Sequence, residues 1–402
     1  MRFSIGIDDF KKIRTEKSSG GQLCFYCDKS LLIKDIIDDG ASVIVLPRPR
    51  RFGKTLNLSM LKYFFDIMED NAVLFQGLKI GENKNIMKNW QGKYPVVFIS
   101  FQAFRAQNIE EFKRELKNCI LESYSCHRYL LTSRKTAQYD KVRMASYFSP
   151  NHVDMNFANS LYDLTKILKE YHGQEVIVLI DEYDRPLQEA YLNGFAQEVR
   201  MLFGNMLGQV LKGNKYLYKS IITSTTRIVD DSINNQYVCD ITNNQYAEYF
   251  GFTEDEIKRV SDAAHLNELK AWYNGFTFGD NLTIYNPWSV LNALNRDYEF
   301  APYWVDALDN DIVSGNLTSN KLADIKILLE GQSLAVDIDP GTVPARLREN
   351  HSAFWNFAFM SGFLSLDADQ KMRIPNKEIQ YYFEKRLRLL SSQAEHCSRG
   401  EK

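Results

Sequence analysis

Five apolar residues, Val176 to Ile180, run without a polar break into Asp181 and Glu182. An apolar run of this length reads as a buried strand, and "VIVLIDEYD" (Val176 to Asp184) is the strongest strand signal in the chain. It is one of a series. "SVIVLP" (Ser42 to Pro47) is a short β-branched run of the buried-strand type, "VVFISF" (Val96 to Phe101, fenced by Pro95) is a second strand candidate, and "YKSIITSTT" (Tyr218 to Thr226) is a further strand that ends in hydroxyl residues. Helical patterns lie between them: Leu58, Leu61, Phe65 and Met68 after Lys54, then Leu161, Leu164, Leu168 and Tyr171 before His172-Gly173. Apolar runs alternating with helices predict an α/β fold with a mostly parallel sheet.

From about Phe252 the texture turns helical, opening with a capping-box spacing at Thr253 and Glu256 and an acidic first turn. A chain of 402 residues with 45% hydrophobic content holds two or three domains. The boundaries are expected near 250 and 345, giving units 1–250, 251–345 and 346–402. A charged helical stretch follows Ile374-Pro375-Asn376, and fraying is expected from Ser391 to Lys402.

The net charge of −2 gives no global attraction to nucleic acid or an anionic membrane. Six cysteines, at 24, 27, 119, 126, 239 and 397, form no secreted-type framework. The amino terminus "MRFSIGIDDFKKIR" lacks a signal-peptide core, and no run reaches the ~18 apolar residues of a membrane span. A cytoplasmic protein with no membrane contact is expected.

The chemistry gathers at three strand ends. After the first strand stands "PRPRRFGKT", Pro47 to Thr55, which ends like a phosphate-binding loop. Such a loop opens a helix, so that backbone N–H groups and the helix dipole meet phosphates. Lys54 would reach the β- and γ-phosphates and the Thr55 hydroxyl would ligate magnesium, with Arg50, Arg51 and Gly53 lining the loop. Arg48 stands where the pattern G-x-x-x-x-G-K-T has glycine. If that position needs a left-handed backbone, the cost is roughly 1–2 kcal/mol. The plain alternative is a basic turn before a helix.

At the second strand end Asp181 would hold Mg2+ and Glu182 would orient or deprotonate the attacking water; the plain alternative is a solvated strand end. At the third, Thr223 to Thr226 precede Arg227. In ATPases with an extra strand between loop and carboxylates, a polar residue here senses the γ-phosphate, and Arg227 would stabilise phosphate charge. The bland reading is a surface arginine after a hydroxyl-rich strand. The basic cluster would also suit a nucleic-acid backbone, though nucleotide phosphates account for the same charges more economically. Cys24 and Cys27 have the spacing of half a zinc site without a second pair, and read as structural thiols.

"GIDDFKKIR", "FYCDKSLLIKDII", "RPRRFGKTLNLSMLKYFF", "VIVLIDEYDRPLQEAY", "YFGFTEDEI", "WYNGFTFG" and "YNPWSVLN" resemble, in order, the motifs of bacterial AAA-ATPase-like proteins. The resemblance covers residues 3–380. It implies a P-loop NTPase core followed by a helical domain, in a family often fused to a PD-(D/E)XK nuclease. Within that family "RPRRFGKT" is the usual loop. The resemblance carries the nucleotide roles onto Lys54, Thr55, Asp181 and Glu182, and matches Asp184 and Arg227 without a defined role. Trp272 to Ser289 is expected as a hinge into the helical region with Trp272, Tyr273 and Trp288 packed against it, and for these aromatics plain core is the preferred reading.

There are two departures from the family pattern. Ser224 replaces a usual glycine, and the segment from there to Asp240-Ile241-Thr242 looks shortened, which would impair hydrolysis while sparing binding. The nuclease lead-in, "FWNFAFMSGFLSL" and "KMRIPNKEIQYYF", is not followed by an aspartate and an E-x-K strand, so no nuclease activity is expected. The sequence thus reads as an ATP- and Mg2+-binding switch protein, with homo-oligomerisation open. The alternative is a non-hydrolysing remnant that binds a partner protein or nucleic acid.

Overall fold

The computed structural model describes residues 3–17, 21, 23–149, 155–226, 237–307, 312–339, 347 and 350–399, with 319 and 392–399 as backbone only. Its centre is a parallel sheet of five strands: β1 (Val43–Pro47), β2 (Val96–Ser100), β3 (Val176–Asp181), β4 (Leu217–Ser224) and β5 (Tyr237–Val238). Their spatial order is β2-β3-β4-β1-β5, every pairing being parallel. The extra strand β4 therefore lies between the loop strand β1 and the carboxylate strand β3.

Unbroken apolar runs suit this position because the sheet is covered on both faces. Ile44, Leu46, Ile177, Leu179 and Ile221 belong to one core. Their alternating neighbours Val43, Val45, Val176, Val178, Ile180 and Ile222 belong to the other. Side chains two apart along a strand share a face, so each strand feeds both cores. The first of these cores also draws in residues from Phe10 to Phe383.

Helix Lys54–Phe65 leaves the end of β1 and buries Leu58, Leu61 and Phe65. The apolar pattern carried the expected helix on to Met68, but the helix stops earlier. Asp66 leaves the helical region at ψ 119°, and Ile67 donates to the Tyr94 carbonyl instead. Helix Phe157–His172 ends on Gly173 in the left-handed conformation at φ +72°, a common terminator. Thr253 and Glu256 form the complete capping box.

After residue 250 the chain is mainly helical, with two small hairpins that the sequence reading lacks. β6 (Phe276–Phe278) pairs antiparallel with β7 (Leu282–Ile284), and β8 (Ser365–Leu366) with β9 (Met372–Arg373). "WYNGFTFG" thus contains a strand, while Tyr273 is fully buried and Trp272 packs beside it. The last helix, Lys377–Arg399, continues past Ser391, where fraying was expected.

Candidate functional site

The carboxyl ends of β1, β3 and β4 meet at one place. Gly53 caps helix Lys54–Phe65 at φ +86°, which brings Lys54 and Thr55 to its first turn. Lys54 is buried, and its Nζ donates to the carbonyls of Arg48 (3.0 Å) and Pro49 (3.2 Å). It also pairs with Glu182 Oε1 at 3.1 Å. Thr55 Oγ1 donates to Asp181 Oδ2 at 2.9 Å. The two sequence motifs are therefore in direct contact across the sheet.

Asp181 is fully buried and accepts from three hydroxyls, each on a different element. Thr55 comes from the helix, Ser100 Oγ (3.2 Å) from β2, and Thr223 Oγ1 (2.7 Å) from β4. Burial holds its carboxyl above the ordinary range, and neighbouring Glu182 adds to this; the hydroxyls of Thr223 and Thr55 and the charge of Lys54 oppose it. Glu182 sits at φ +52°, a strained conformation for a side chain with Cβ. Thr225 Oγ1 approaches its Oε2 at 3.4 Å.

Asp184 lies behind this pair. Its Oδ2 accepts from the backbone N–H groups of Thr225 and Thr226, both at 3.0 Å, and from Gln188 Nε2 at 2.7 Å. Burial first and Glu182 second push its carboxyl up to about 6, against Lys54 and the two N–H donors. The hydroxyl-rich end of β4 is thus bonded to all three carboxylates. Ser224 is buried, and its carbonyl accepts from the Arg48 N–H at 3.0 Å. Arg227 lies outside the described residues, as does the rest of 227–236.

Arg48 does not carry the left-handed backbone that a missing glycine raised as a concern. Within the loop, positive φ falls at Arg51 (+67°) and Gly53. Arg48 is instead a fully buried rivet. Its Nη1 donates to the Pro47 and Cys239 carbonyls at 2.7 and 2.6 Å. The guanidinium lies over the rings of Phe250 (4.9 Å) and Phe278 (5.5 Å). Burial lowers its pKa to about 10, which leaves it charged at neutral pH.

The rest of the loop is gripped in the same way. Gly362 packs so closely on Pro49 that a Cβ there would stand 2.9 Å from the proline side chain. The Arg50 carbonyl accepts from Trp304 Nε1 at 3.1 Å. Arg51 is exposed, with its guanidinium 4.2 Å from the centre of the Trp288 ring. Phe52 is buried edge-on to Phe276, and its carbonyl accepts from the Gly251 N–H at 3.1 Å.

A cavity of about 420 Å³ opens over the loop. Its lining includes the charged and polar residues Arg50, Lys54, Thr55, Glu182, Arg105 and Arg185 and the apolar residues Ile5, Ile7, Phe25, Trp288 and Leu291. The size and the mixed lining suit a small-molecule ligand with polar and apolar parts. Sequence reasoning missed Ser100, Arg105, Arg185 and the amino-terminal contribution. Ser100 stands opposite Asp181 in the β2–β3 register, and adjacency of strands so far apart in sequence leaves no local signal.

Thr55 and Asp181 supply oxygen donors, which suits a hard cation that keeps phosphate oxygens and water as its other ligands. Among the described residues no group of three or more His, Cys, Asp and Glu side chains is arranged to hold a metal by itself. Cys24 is buried in the first core and its Sγ accepts from Ser4 Oγ at 2.9 Å. Cys27 is packed against Phe252 and its neighbours, and burial pushes its thiol up to about 12.

A family model described as predicted AAA-ATPase matches residues 4–234, from the amino-terminal wall of the cavity through all three strand ends. The chain belongs to this AAA-ATPase-like family. Membership supports nucleotide binding at a coarse level. A similar protein, described as an uncharacterized protein in the vnfD 5′ region of Azotobacter chroococcum mcd 1, is 26% identical over 315 residues. The alignment covers 76% of this chain and 54% of that relative, so the chain spans about half the length of the curated relative it matches. No helix among the described residues is long and apolar enough to cross a membrane.

Proposed function

We propose that this chain binds ATP with Mg2+ in the 420 Å³ cavity and hydrolyses it as a slow, cytoplasmic conformational switch. The observation that carries the reading is the contact of Lys54 with Glu182 and of Thr55 with Asp181 at the mouth of one cavity. A P-loop and its Walker B carboxylates need that juxtaposition. The phosphates belong beside Lys54 and the base among the apolar lining residues, near Ile5, Ile7 and Trp288.

Thr55 and Asp181 would hold Mg2+, which would draw charge off the β- and γ-phosphate oxygens. Lys54 neutralises phosphate charge from the first helical turn, where backbone N–H groups already favour an anion. A phosphate at Lys54 competes with Glu182 for the ammonium. Glu182 is then free to accept a proton from water in line with the terminal phosphate. Thr223 and Thr225 link β4 to the two carboxylates, so a shift of either carboxylate is felt along that strand.

The switch reading rests on the grip described above. Residues from Cys239 to Gly362 touch successive residues of the loop, so a loop that moves around phosphates moves them too. The units expected at 1–250, 251–345 and 346–402 enter the proposal as the parts whose relative positions nucleotide would change.

The test is ATP binding and turnover with Mg2+ in the natural chain, Lys54→Ala and Glu182→Gln. The reading expects at least a hundredfold weaker binding in Lys54→Ala, as a lost phosphate ion pair and its hydrogen bonds imply. It expects retained binding with turnover lost in Glu182→Gln. Tight binding without turnover in the natural chain would favour the non-hydrolysing alternative. No binding by the natural chain would overturn the reading.

A further inference from the structure

Among the residues that line the cavity, the cations Lys29, Arg50, Arg51, Lys54, Arg105 and Arg185 outnumber the carboxylates Asp8 and Glu182. Arg185 opens helix Arg185–Leu192, four residues after Asp181, and its Nη2 pairs with Glu189 Oε1 at 2.7 Å. Arg105 reaches the same oxygen from the loop after β2, at 3.8 Å. Arg50, from the loop after β1, lines the same cavity as both. Burial lowers the pKa of Arg185 and the Glu189 charge offsets this, while Arg50 and Arg105 lower it further. Two guanidiniums thus share one carboxylate oxygen, and the charge of Arg50 acts on Arg185 as well. Arg185 Nε is itself buried with no hydrogen-bond partner among the described residues. A buried, unpartnered guanidinium N–H is costly.

Among the neighbouring acceptors, Asp184 Oδ1 is buried and has no hydrogen-bond partner among the described residues. Gln188 donates to Asp184, and Asp184 Oδ2 is taken by two backbone N–H groups on β4's outgoing turn. Glu182 is held by Lys54. What fits the excess charge is a multiply charged anion beside Lys54.

We propose that Arg185 donates to the terminal phosphate of a nucleoside triphosphate from within the same chain. This rests on the nucleotide reading above and assigns to Arg185 the charge-stabilising role that the sequence had suggested for Arg227. In the reaction, the water oxygen bonds to the terminal phosphorus while the bond to the bridging oxygen breaks. The bridging oxygen leaves with its electron pair as the diphosphate, and the water proton goes to Glu182. Negative charge spreads over the terminal phosphoryl oxygens as this happens, and a guanidinium aimed at them stabilises it. Arg105 and Arg50 raise the local potential, and Glu189 orients Arg185.

Affinities for ATP and ADP, read by calorimetry in the natural chain, Arg185→Ala, Arg185→Lys and Glu189→Gln, decide the matter. A terminal-phosphate contact predicts that Arg185→Ala weakens ATP about tenfold or more while ADP stays within about twofold. Arg185→Lys should recover part of the loss, because it keeps the charge without the planar fork. Glu189→Gln should leave ATP binding intact or tighter. Should Glu189→Gln reproduce the loss seen in Arg185→Ala, the pair is merely structural and the proposal fails. Equal weakening of ATP and ADP, or no change in either, also overturns it while leaving the nucleotide reading standing. A natural chain that binds neither nucleotide overturns both.

Discussion

The two halves of the site are built on different principles. At the end of β3, Asp181 is held by three hydroxyls from β2, β4 and the first helix, all within the sheet's own neighbourhood. At the end of β1, the loop from Arg48 to Phe52 is held by Cys239, Phe250, Gly251, Phe278, Trp304 and Gly362. A loop rich in glycine takes its shape from its own backbone. This loop has arginine, proline and phenylalanine in those places, and side chains from the later half of the chain fix it. The difference places the cost of an unusual loop far from the loop, and gives distant residues a hold on the proposed nucleotide site.

If that contrast is right, lesions in the later half should damage the loop, while lesions beside Asp181 should act on the chemistry. The largest effect is expected at Gly251, whose φ of +87° and nearest neighbours leave no room for a side chain. A Cβ there would stand 2.2 Å from Ile284 Cγ2 and 3.1 Å from Phe52. Gly251→Ala should cost about 3 kcal/mol and weaken ATP binding in whatever protein remains folded. Thermal melting and nucleotide titration check this, and a variant with unchanged affinity would break the link between Gly251 and the loop.

Glu378 offers a sharper probe. It is fully buried in the last helix and accepts from the Trp304 N–H at 2.6 Å and Ser289 Oγ at 2.8 Å, while the Trp304 indole bonds to the Arg50 carbonyl. Burial pushes its carboxyl up to about 8, with nearby Asp306 adding to the rise and its hydrogen bonds opposing it. The folded state therefore binds this proton more tightly than the unfolded state. The resulting stability is present in full below the usual glutamate range and is lost as pH rises through about 8. The loss is at most roughly 1.4 kcal/mol per pH unit. Glu378→Gln keeps the acceptor oxygen but cannot ionise. Its melting temperature should vary less with pH between 5 and 8 than the natural chain's, and should exceed it above pH 8.

The smallest effect is expected at the other strand end. Thr223→Val removes the 2.7 Å hydrogen bond to Asp181 and should cost about 1 kcal/mol. It should slow turnover more than it weakens ATP binding, because the loop is untouched. A loss of affinity as large as that of Gly251→Ala would erase the contrast between the two halves.

Much of this architecture is legible in the sequence, for a physical reason. β1 to β3 are near-continuous apolar runs and β4 holds a short Ile221-Ile222 core, and the carboxylates, the Gly53-Lys54-Thr55 triplet and the hydroxyls all follow those apolar stretches. Period and punctuation are local properties, so they survive in one dimension. β6 and β8 are only two or three residues long and lie in aromatic stretches broken by glycine, where a hinge and a strand look alike. The grip on the loop is not local at all. Arg48 meets a carbonyl 191 residues away, and Trp304 meets the loop across 254 residues. Arg48 consequently looked like a defect in a glycine pattern, when its side chain is what fastens the loop.

Arg48→Gly tests that claim most directly, because it restores the glycine of the common phosphate-loop pattern while removing the rivet. The substitution deletes two short hydrogen bonds and the packing of a guanidinium between Phe250 and Phe278. It should cost about 3 kcal/mol or more. The measurement is ATP affinity at a temperature where circular dichroism shows the variant still folded. The account predicts a folded protein that binds ATP at least tenfold more weakly than the natural chain. Affinity equal to or tighter than the natural chain's would contradict it, and would mean that the loop takes its shape from its own backbone after all.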